Sequence, residues 1–346
     1  MCMLKRRKML AAVALAMAGG PALAAGPAAV REFEVADFRS YLPAEHPVRR
    51  GLQAFADRVA RLSGGRLRAK VRTDTIPGGP GQQMAALRSG GEGVPDLMLV
   101  SVTGLAPLEP AFGVLDFPFT LKDEAQAHAL LDGRFGTALL NRLPEHGLVG
   151  TAWWESGMRQ MTSSKAPLDS AAAFQGLKFR VIPEPFFSDV YGALGATPVP
   201  MLFKPVYEAL KTGRADAQDN TEAQIIAGKF HEVQQWLTLT NHAYAAIVLV
   251  ARAPFWQSLS ADDQDLLRQA AQHAGQLQRR WVHEDTLRVR AKLQELGMKV
   301  AELPEAERQK LEALTRPVRE RYAAKFDARL MALYEQELNA IQQKAR

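Results

Sequence analysis

Across 346 residues the chain carries a formal charge of +6 and one cysteine, Cys2. Four of those charges, Lys5, Arg6, Arg7 and Lys8, fall within the first 24 residues, which hold no acid, leaving +2 for the rest. That balance excludes a surface built to hold nucleic acid or an anionic membrane by net charge. The lone cysteine excludes a disulfide framework, and a mature chain of about 320 residues has the length for two lobes.

The first 24 residues read as a secretory signal peptide: a basic start, an apolar stretch from Met9 to Met17, and the small-residue site Ala22-Leu23-Ala24. The apolar stretch is too short to span a bilayer, and no later segment runs that long without charges. The residues around Arg6-Arg7 fit an ordinary Sec signal better than a twin-arginine one, with the export route left open. Cys2 precedes the apolar stretch and is lost on cleavage.

Then "REFEVADF" alternates like a strand, and "HPVRRGLQAFADRVARLSGG" spaces Val48, Leu52, Phe55, Val59 and Leu62 as one face of a helix stopped by Gly64-Gly65. "RLRAKVRTD" is a second strand, "GQQMAALRSGG" a short helix, and "DLMLVSV" a strand apolar on both faces. This alternation predicts an α/β fold with parallel sheets between helices. After Gly147, "GLVGTAWWE" and "RQMTSS" read as strands flanking a turn at Ser156-Gly157, "LKFRVI" as another strand, and "PFFSDVYGALG" and "KPVYEALKTG" as helices ending in glycine. "LTLTNHAYAAIVLVAR" reads as extended chain crossing between lobes. From Ser260 to Gly297 only Gly275 interrupts a helix with a Ser cap and acids in its first turn. At 1.5 Å per residue it would reach roughly 55 Å and brace both lobes. "MKVAEL" is a last strand, and a charged amphipathic helix runs from Glu305 to the end.

The motifs of enzyme chemistry are missing: no GxGxxG after a strand, no phosphate-loop lysine, no GxSxG, no HExxH. "PGGPGQQ" (77–83) reads as a strand-to-helix loop. Histidines 46, 128, 146, 231, 242, 273 and 283 show no ligand spacing. Neither cofactor nor metal is expected.

Arg159, after "ESG", and Arg180, inside the apolar run "KFRV", stand out instead, with "DAQDN" (216–220) between two helical segments. A buried arginine cannot shed its proton and needs an anion or a full set of acceptors. Asp216, Asp219 or Glu184 would satisfy Arg180 as a salt bridge. A ligand carboxylate held by two parallel bonds would do so as a function. Composition leaves both open.

The order of motifs across residues 157–244 resembles the extracytoplasmic solute receptors of TRAP transporters, the DctP family. "GMRQMTSS", "GLKFRV", "GATPVPMLFKPVYEAL", "DAQDN", "KFHEVQ" and "LTNHAY" follow the family pattern in sequence, and "FADRVARLSGGRLRAKV", "LDFPF" and the long late helix extend the likeness over most of the mature chain. The resemblance implies two α/β lobes of periplasmic-binding-protein type closing a cleft on an organic acid, with the long helix spanning both. The lobes would be 31–156 with 245–284, and 157–244 with 285–346. It implies that Arg180 grips the ligand carboxylate, Arg159 assists, Asn220 bonds the same group and Phe203 packs on the ligand. Ala217, Asp219 and Thr221 depart from the family's usual glycine, glutamate and proline, which bears on the loop's shape.

Other residues would read the rest of the ligand. Glu184 either bonds ligand hydroxyls or an amine, or is a solvent-facing acid at a helix start; as a ligand contact it would favour sugar acids over plain dicarboxylates. Glu155 and Trp154 either line the hinge side or, for the tryptophan, fill the core. Ser101 and Thr103 lie where open α/β sheets present loops to a cleft. The expected function is a periplasmic receptor for a small carboxylate, a uronate-like sugar acid or a C4-dicarboxylate, delivered to the membrane permease subunits. A receptor feeding a sensor kinase and an exported enzyme acting on an acidic substrate are the alternatives.

Overall fold

A computed structural model describes residues 30–344; the signal segment 1–24, with Cys2, lies outside them. The described chain builds one nine-stranded mixed sheet. Its strands are β1 (Arg31–Asp37), β2 (Leu67–Val71), β3 (Leu97–Ser101), β4 (Leu148–Ser163), β5 (Lys178–Val181), β6 (Thr197–Pro200), β7 (Ala217–Asn220), β8 (Trp236–Arg252) and β9 (Lys299–Glu302). In space they run β2-β1-β3-β8-β4-β7-β5-β6, with β9 on the free half of β8.

Two strands make the sheet continuous. β4 and β8 run antiparallel for almost their whole lengths, Leu148 opposite Arg252 and Ser163 opposite Trp236. At one end β8 carries β3 and the parallel β1 and β2; at the other β4 carries β7, followed by β5 and β6. The expected separate strands on either side of Ser156-Gly157 are therefore one strand, bent by register shifts between Glu155 and Met158 and between Arg159 and Met161.

Each lobe buries apolar side chains on both faces of its part of the sheet. In the first, Trp153 and Met98 pack on one face, Trp154 and Leu99 on the other. In the second, Phe179 and Val181 face one cluster, Leu210 and Leu237 another. The helix Ala261–Glu295 joins them: Leu267, Ala270 and Ala274 lie in a first-lobe core and Leu293 in a second-lobe core. Ser260 caps it, accepting from the Asp263 amide at 3.1 Å.

Gly275 does not interrupt this helix. It is the point of closest approach to Trp154, whose ring would lie 2.9 Å from an added Cβ, with the Trp153 carbonyl at 3.1 Å. The Trp154 indole also donates to the Ala271 carbonyl at 3.1 Å, and its side chain is fully buried. Trp154 is thus a core residue locking strand to helix, and its expected place beside the ligand is corrected.

The lobe boundaries also need correction at the C-terminus. The single helix expected from Glu305 is two, Glu305–Ala323 and Ala328–Lys344, because Asp327 accepts from the Arg329 and Leu330 amides and starts a new helix. The first packs on the second lobe through Leu311 and Val318. The second returns to the first lobe, where Tyr334 meets Phe135 with ring centres 5.2 Å apart and Glu337 accepts from the Phe135 amide at 3.0 Å. Residues 328–344 therefore belong to the first lobe.

Alanine in place of a mid-helix glycine ordinarily adds up to about 1 kcal/mol of stability. Gly275→Ala should instead lose about 1–3 kcal/mol in urea unfolding, because neither the buried indole nor the backbone carbonyl can withdraw. A gain in stability would show that this contact does not constrain the fold.

Candidate ligand-binding site

β5 lies between β6 and β7, with Phe179 and Val181 in the apolar core and Arg180 emerging near the strand's C-terminal end. Strand ends of this kind present side chains to a cleft in open α/β sheets. The Arg180 residue is 3% exposed, and its Nε and Nη2 donate to one acceptor, the Met201 carbonyl, at 3.2 and 2.8 Å. Met201 is held there by its own amide bond to the Val181 carbonyl at 3.0 Å.

No carboxylate among the described residues reaches Arg180. Asp216 pairs with Lys165 at 3.0 Å, Asp219 with Arg159, and Glu184 makes no ion pair. Burial pushes the Arg180 guanidinium down to about 10; the field of Asp219 opposes the fall and that of Arg159 adds to it. The salt bridge left open by the sequence is absent from the described residues.

Arg159 is treated differently. Its Nε donates to Asp219 Oδ2 at 2.5 Å and its Nη2 to the Asp219 carbonyl at 2.8 Å. Asp219 also faces His242 Nε2 at 3.3 Å, and His242 Nδ1 lies 2.8 Å from the Thr240 hydroxyl. Burial alone would raise the Asp219 carboxyl, but Arg159 and His242 outweigh it and hold it well below the usual carboxylate range. Burial drives His242 below its ordinary pKa against the pull of Asp219, so it is neutral at pH 7. The Tyr191 hydroxyl lies 3.3 Å from the same Nε2, and a neutral ring with its proton there donates toward Asp219 and Tyr191 and accepts from Thr240 at Nδ1.

A backbone irregularity sets this network. Between Arg159 and Met161 the partner residue on β8 jumps from Ala243 to Thr238. Asn241, in the extra loop, takes a left-handed φ of 41° and exchanges bonds with Gln160, Nε2 to Oδ1 at 2.6 Å and amide to Oε1 at 3.0 Å. The bulge turns His242 inward. In the sequence His242 shows no ligand spacing, and only its place in the "LTNHAY" stretch marks it.

Asn220 ends β7 opposite Gln160, 6% exposed, its Oδ1 accepting from the Thr221 amide at 3.2 Å. Phe203 follows β6, half-buried and 5.5 Å from Phe230. Tyr41 of the first lobe stacks on it, ring centres 4.8 Å apart and planes at 7°, while the Tyr41 hydroxyl donates to Gln224 at 2.7 Å. Phe203 thus stands at the meeting of the lobes. Tyr41 gave no signal in the sequence, because its partners are on the other lobe.

Thr103 donates to Asp116 at 3.3 Å, whereas the Ser101 hydroxyl accepts from the Gly104 amide at 3.2 Å and serves as a helix cap. Glu184 stands at the N-cap of the helix Pro185–Ala193, half-buried and without a capping bond. Glu155 is corrected: it is 1% exposed, with its Oε2 bonded to the Tyr244 hydroxyl at 2.5 Å and His128 at 2.6 Å. A carboxylate so engaged does not line a cleft.

Arg159 and Arg180 each keep Nη1 without a protein partner among the described residues, and neither atom is sealed from solvent. Two guanidiniums presented this way can hold an anion. No cluster of His, Cys, Asp or Glu among the described residues is arranged for a metal ion.

The profile of bacterial extracellular solute-binding protein family 7, DctP, matches residues 38–325. The 2,3-diketo-L-gulonate-binding periplasmic protein YiaO of Escherichia coli is 35% identical over 71% of this chain and 74% of its own length. The C4-dicarboxylate-binding periplasmic protein DctP of Rhodobacter capsulatus is 28% identical over 92% and 95%. The crystal structure of the sugar acid binding protein DctPAm from Advenella mimigardefordensis, in complex with galactonate, superposes with a TM-score of 0.81 at 32% identity, covering 92% of this chain and 99% of that one.

Removing the charge of Asp219 strands Arg159 inside the protein. Asp219→Asn should cost about 3–5 kcal/mol of stability at pH 7. Because the folded carboxyl is depressed, the parent's advantage is complete above about pH 4, where the unfolded carboxyl titrates, and shrinks as pH falls below it. Denaturant titrations of both proteins at pH 7 and pH 3 test this; a loss under about 1 kcal/mol at pH 7, or a gap that widens in acid, contradicts it.

Proposed function

The chain belongs to the DctP family of bacterial extracellular solute-binding proteins, the receptors of TRAP transporters, and from that premise we propose that it captures a small organic acid by an arginine clamp. Arg180 is the principal grip and Arg159 the second. The observation that carries this reading is that Arg180 is buried with one carbonyl oxygen and, among the described residues, no counter-ion. A ligand carboxylate on Arg180 would supply the missing negative charge, with charge-assisted bonds of about 1.5–3 kcal/mol each. Asn220 lies within the same strand group, and Phe203 and Tyr41 lie at the rim as apolar walls.

The ligand is a sugar acid in this reading, supported by the diketogulonate and galactonate bound by two of the relatives. A C4-dicarboxylate, bound by the third, is the competing ligand. Residues 1–24 export the chain to the periplasm, and no helix among the described residues is long and apolar enough to cross a membrane. Capture shifts the population toward closed lobes, since a ligand touching both binds the closed state better. The closed receptor then delivers its acid to the membrane permease, without bond chemistry of its own.

Melting the mature chain with galactonate, galacturonate and succinate tests the reading. A ligand at 100 times its Kd adds about 2.7 kcal/mol of stability. Arg180→Met should melt no lower than the parent without ligand, because it removes an uncompensated buried charge, yet show no ligand shift. If no acid moves the parent's melt, or if Arg180→Met responds like the parent, the clamp is wrong. Turnover of any of these acids would mark an enzyme instead.

A further inference from the structure

Asp116 ends the short helix Pro110–Asp116, and the three residues after it run along the boundary between the lobes. The Phe117 ring lies 5.6 Å from that of Phe186 in the second lobe. Phe119, at a left-handed φ of 63°, donates its amide to the His242 carbonyl at 2.6 Å. This path leaves the Asp116 carboxylate half-buried on the first-lobe wall, in the field of Arg159 and Asp219. Among the described residues its one side-chain hydrogen bond comes from Thr103 at 3.3 Å, and it makes no ion pair with Arg159.

A carboxyl group has more capacity than one hydroxyl can fill. Asp116 therefore keeps unused hydrogen-bonding capacity within the field of Arg159, with which it forms no direct ion pair among the described residues. In the clamp reading, an acid held by Arg159 and Arg180 brings the substituents of its neighbouring carbon into the same field as Asp116.

We propose that Asp116, positioned by Thr103, is the specificity-determining residue of the cleft, admitting acids with a hydroxyl on the carbon beside the carboxylate and rejecting those with a second carboxylate. This inference rests on the carboxylate-clamp reading. A hydroxyl can donate to Asp116 when it is ionised and also accept from it when it is protonated, whereas a second carboxylate meets like charge. Burial pushes the Asp116 carboxyl up to about 7, with Arg159 and Thr103 drawing it down and Asp219 adding to the rise. Asp116 gains charge as pH rises through 7, so rejection of dicarboxylates strengthens in that direction.

Calorimetric titration of the mature chain with galactonate, 2-deoxygalactonate and succinate tests it. In Asp116→Ala, galactonate affinity falls about tenfold or more, as loss of one bond to a charged group predicts. Affinity for 2-deoxygalactonate stays within about twofold, and succinate binds as well as before or better. Asp116→Asn, which keeps polar contacts without the charge, retains galactonate within a few-fold and abolishes the rise in the galactonate-to-succinate ratio between pH 6 and 8. Equal loss of all three acids in Asp116→Ala, or unchanged ratios in both variants, overturns the role of Asp116 alone. A folded parent that binds none of the three overturns the clamp and this inference together.

Discussion

The Arg180 guanidinium meets one carbonyl oxygen and no carboxylate among the described residues, and in the clamp we propose a ligand carboxylate supplies the acceptors it lacks. Arg159 shows the alternative a few strands away, with a buried aspartate, a neutral histidine and a threonine arranged behind it. One arginine is neutralised in place and the other is left open. In the clamp we propose, that division would give the cleft a net attraction for a single anion, with the Arg159–Asp219 pair limiting the repulsion between the two guanidiniums.

The scaffold makes this division possible. β4 supplies Arg159, β7 supplies Asp219 and Asn220, and β8 supplies His242, all joined in one ladder. Register shifts in β4 and β8 fall at the strands' shared centre, where both lobes meet. Trp154, wedged beneath Gly275, ties that centre to the long helix, and the helix Ala328–Lys344 returns across the boundary to the first lobe. The closure we propose would therefore fall on a few backbone positions flanked by close packing.

Element order was largely legible in the sequence, because strand alternation, the Ser260 cap and the glycine stops are local signals. Arg180 was visible as a charge in an apolar strand, but residues alone left a salt bridge open, and ordered family motifs were needed to point toward a ligand. Trp154 and Glu155 were misplaced although they lie close to Arg159 in sequence. Pleating puts Trp153 and Trp154 on opposite faces, and the bulge after Glu155 changes the phase before Arg159. Tyr41 and Asp116 gave no signal for a different reason: Tyr41 bonds Gln224 on the opposite lobe, 183 residues away, and the role we propose for Asp116 likewise depends on groups there. The break at Asp327 is a local cap signal masked by the charged helical pattern on either side of it.

The central claim concerns one guanidinium and one carboxylate, and a crystal structure of the mature chain with bound galactonate examines it most directly. The account predicts the ligand carboxylate within hydrogen-bonding distance of Arg180 Nη1, with Arg159 as its second donor and the Met201 carbonyl still on the far edge of Arg180. A ligand seated elsewhere, with Arg180 bonded to Met201 alone, would contradict it.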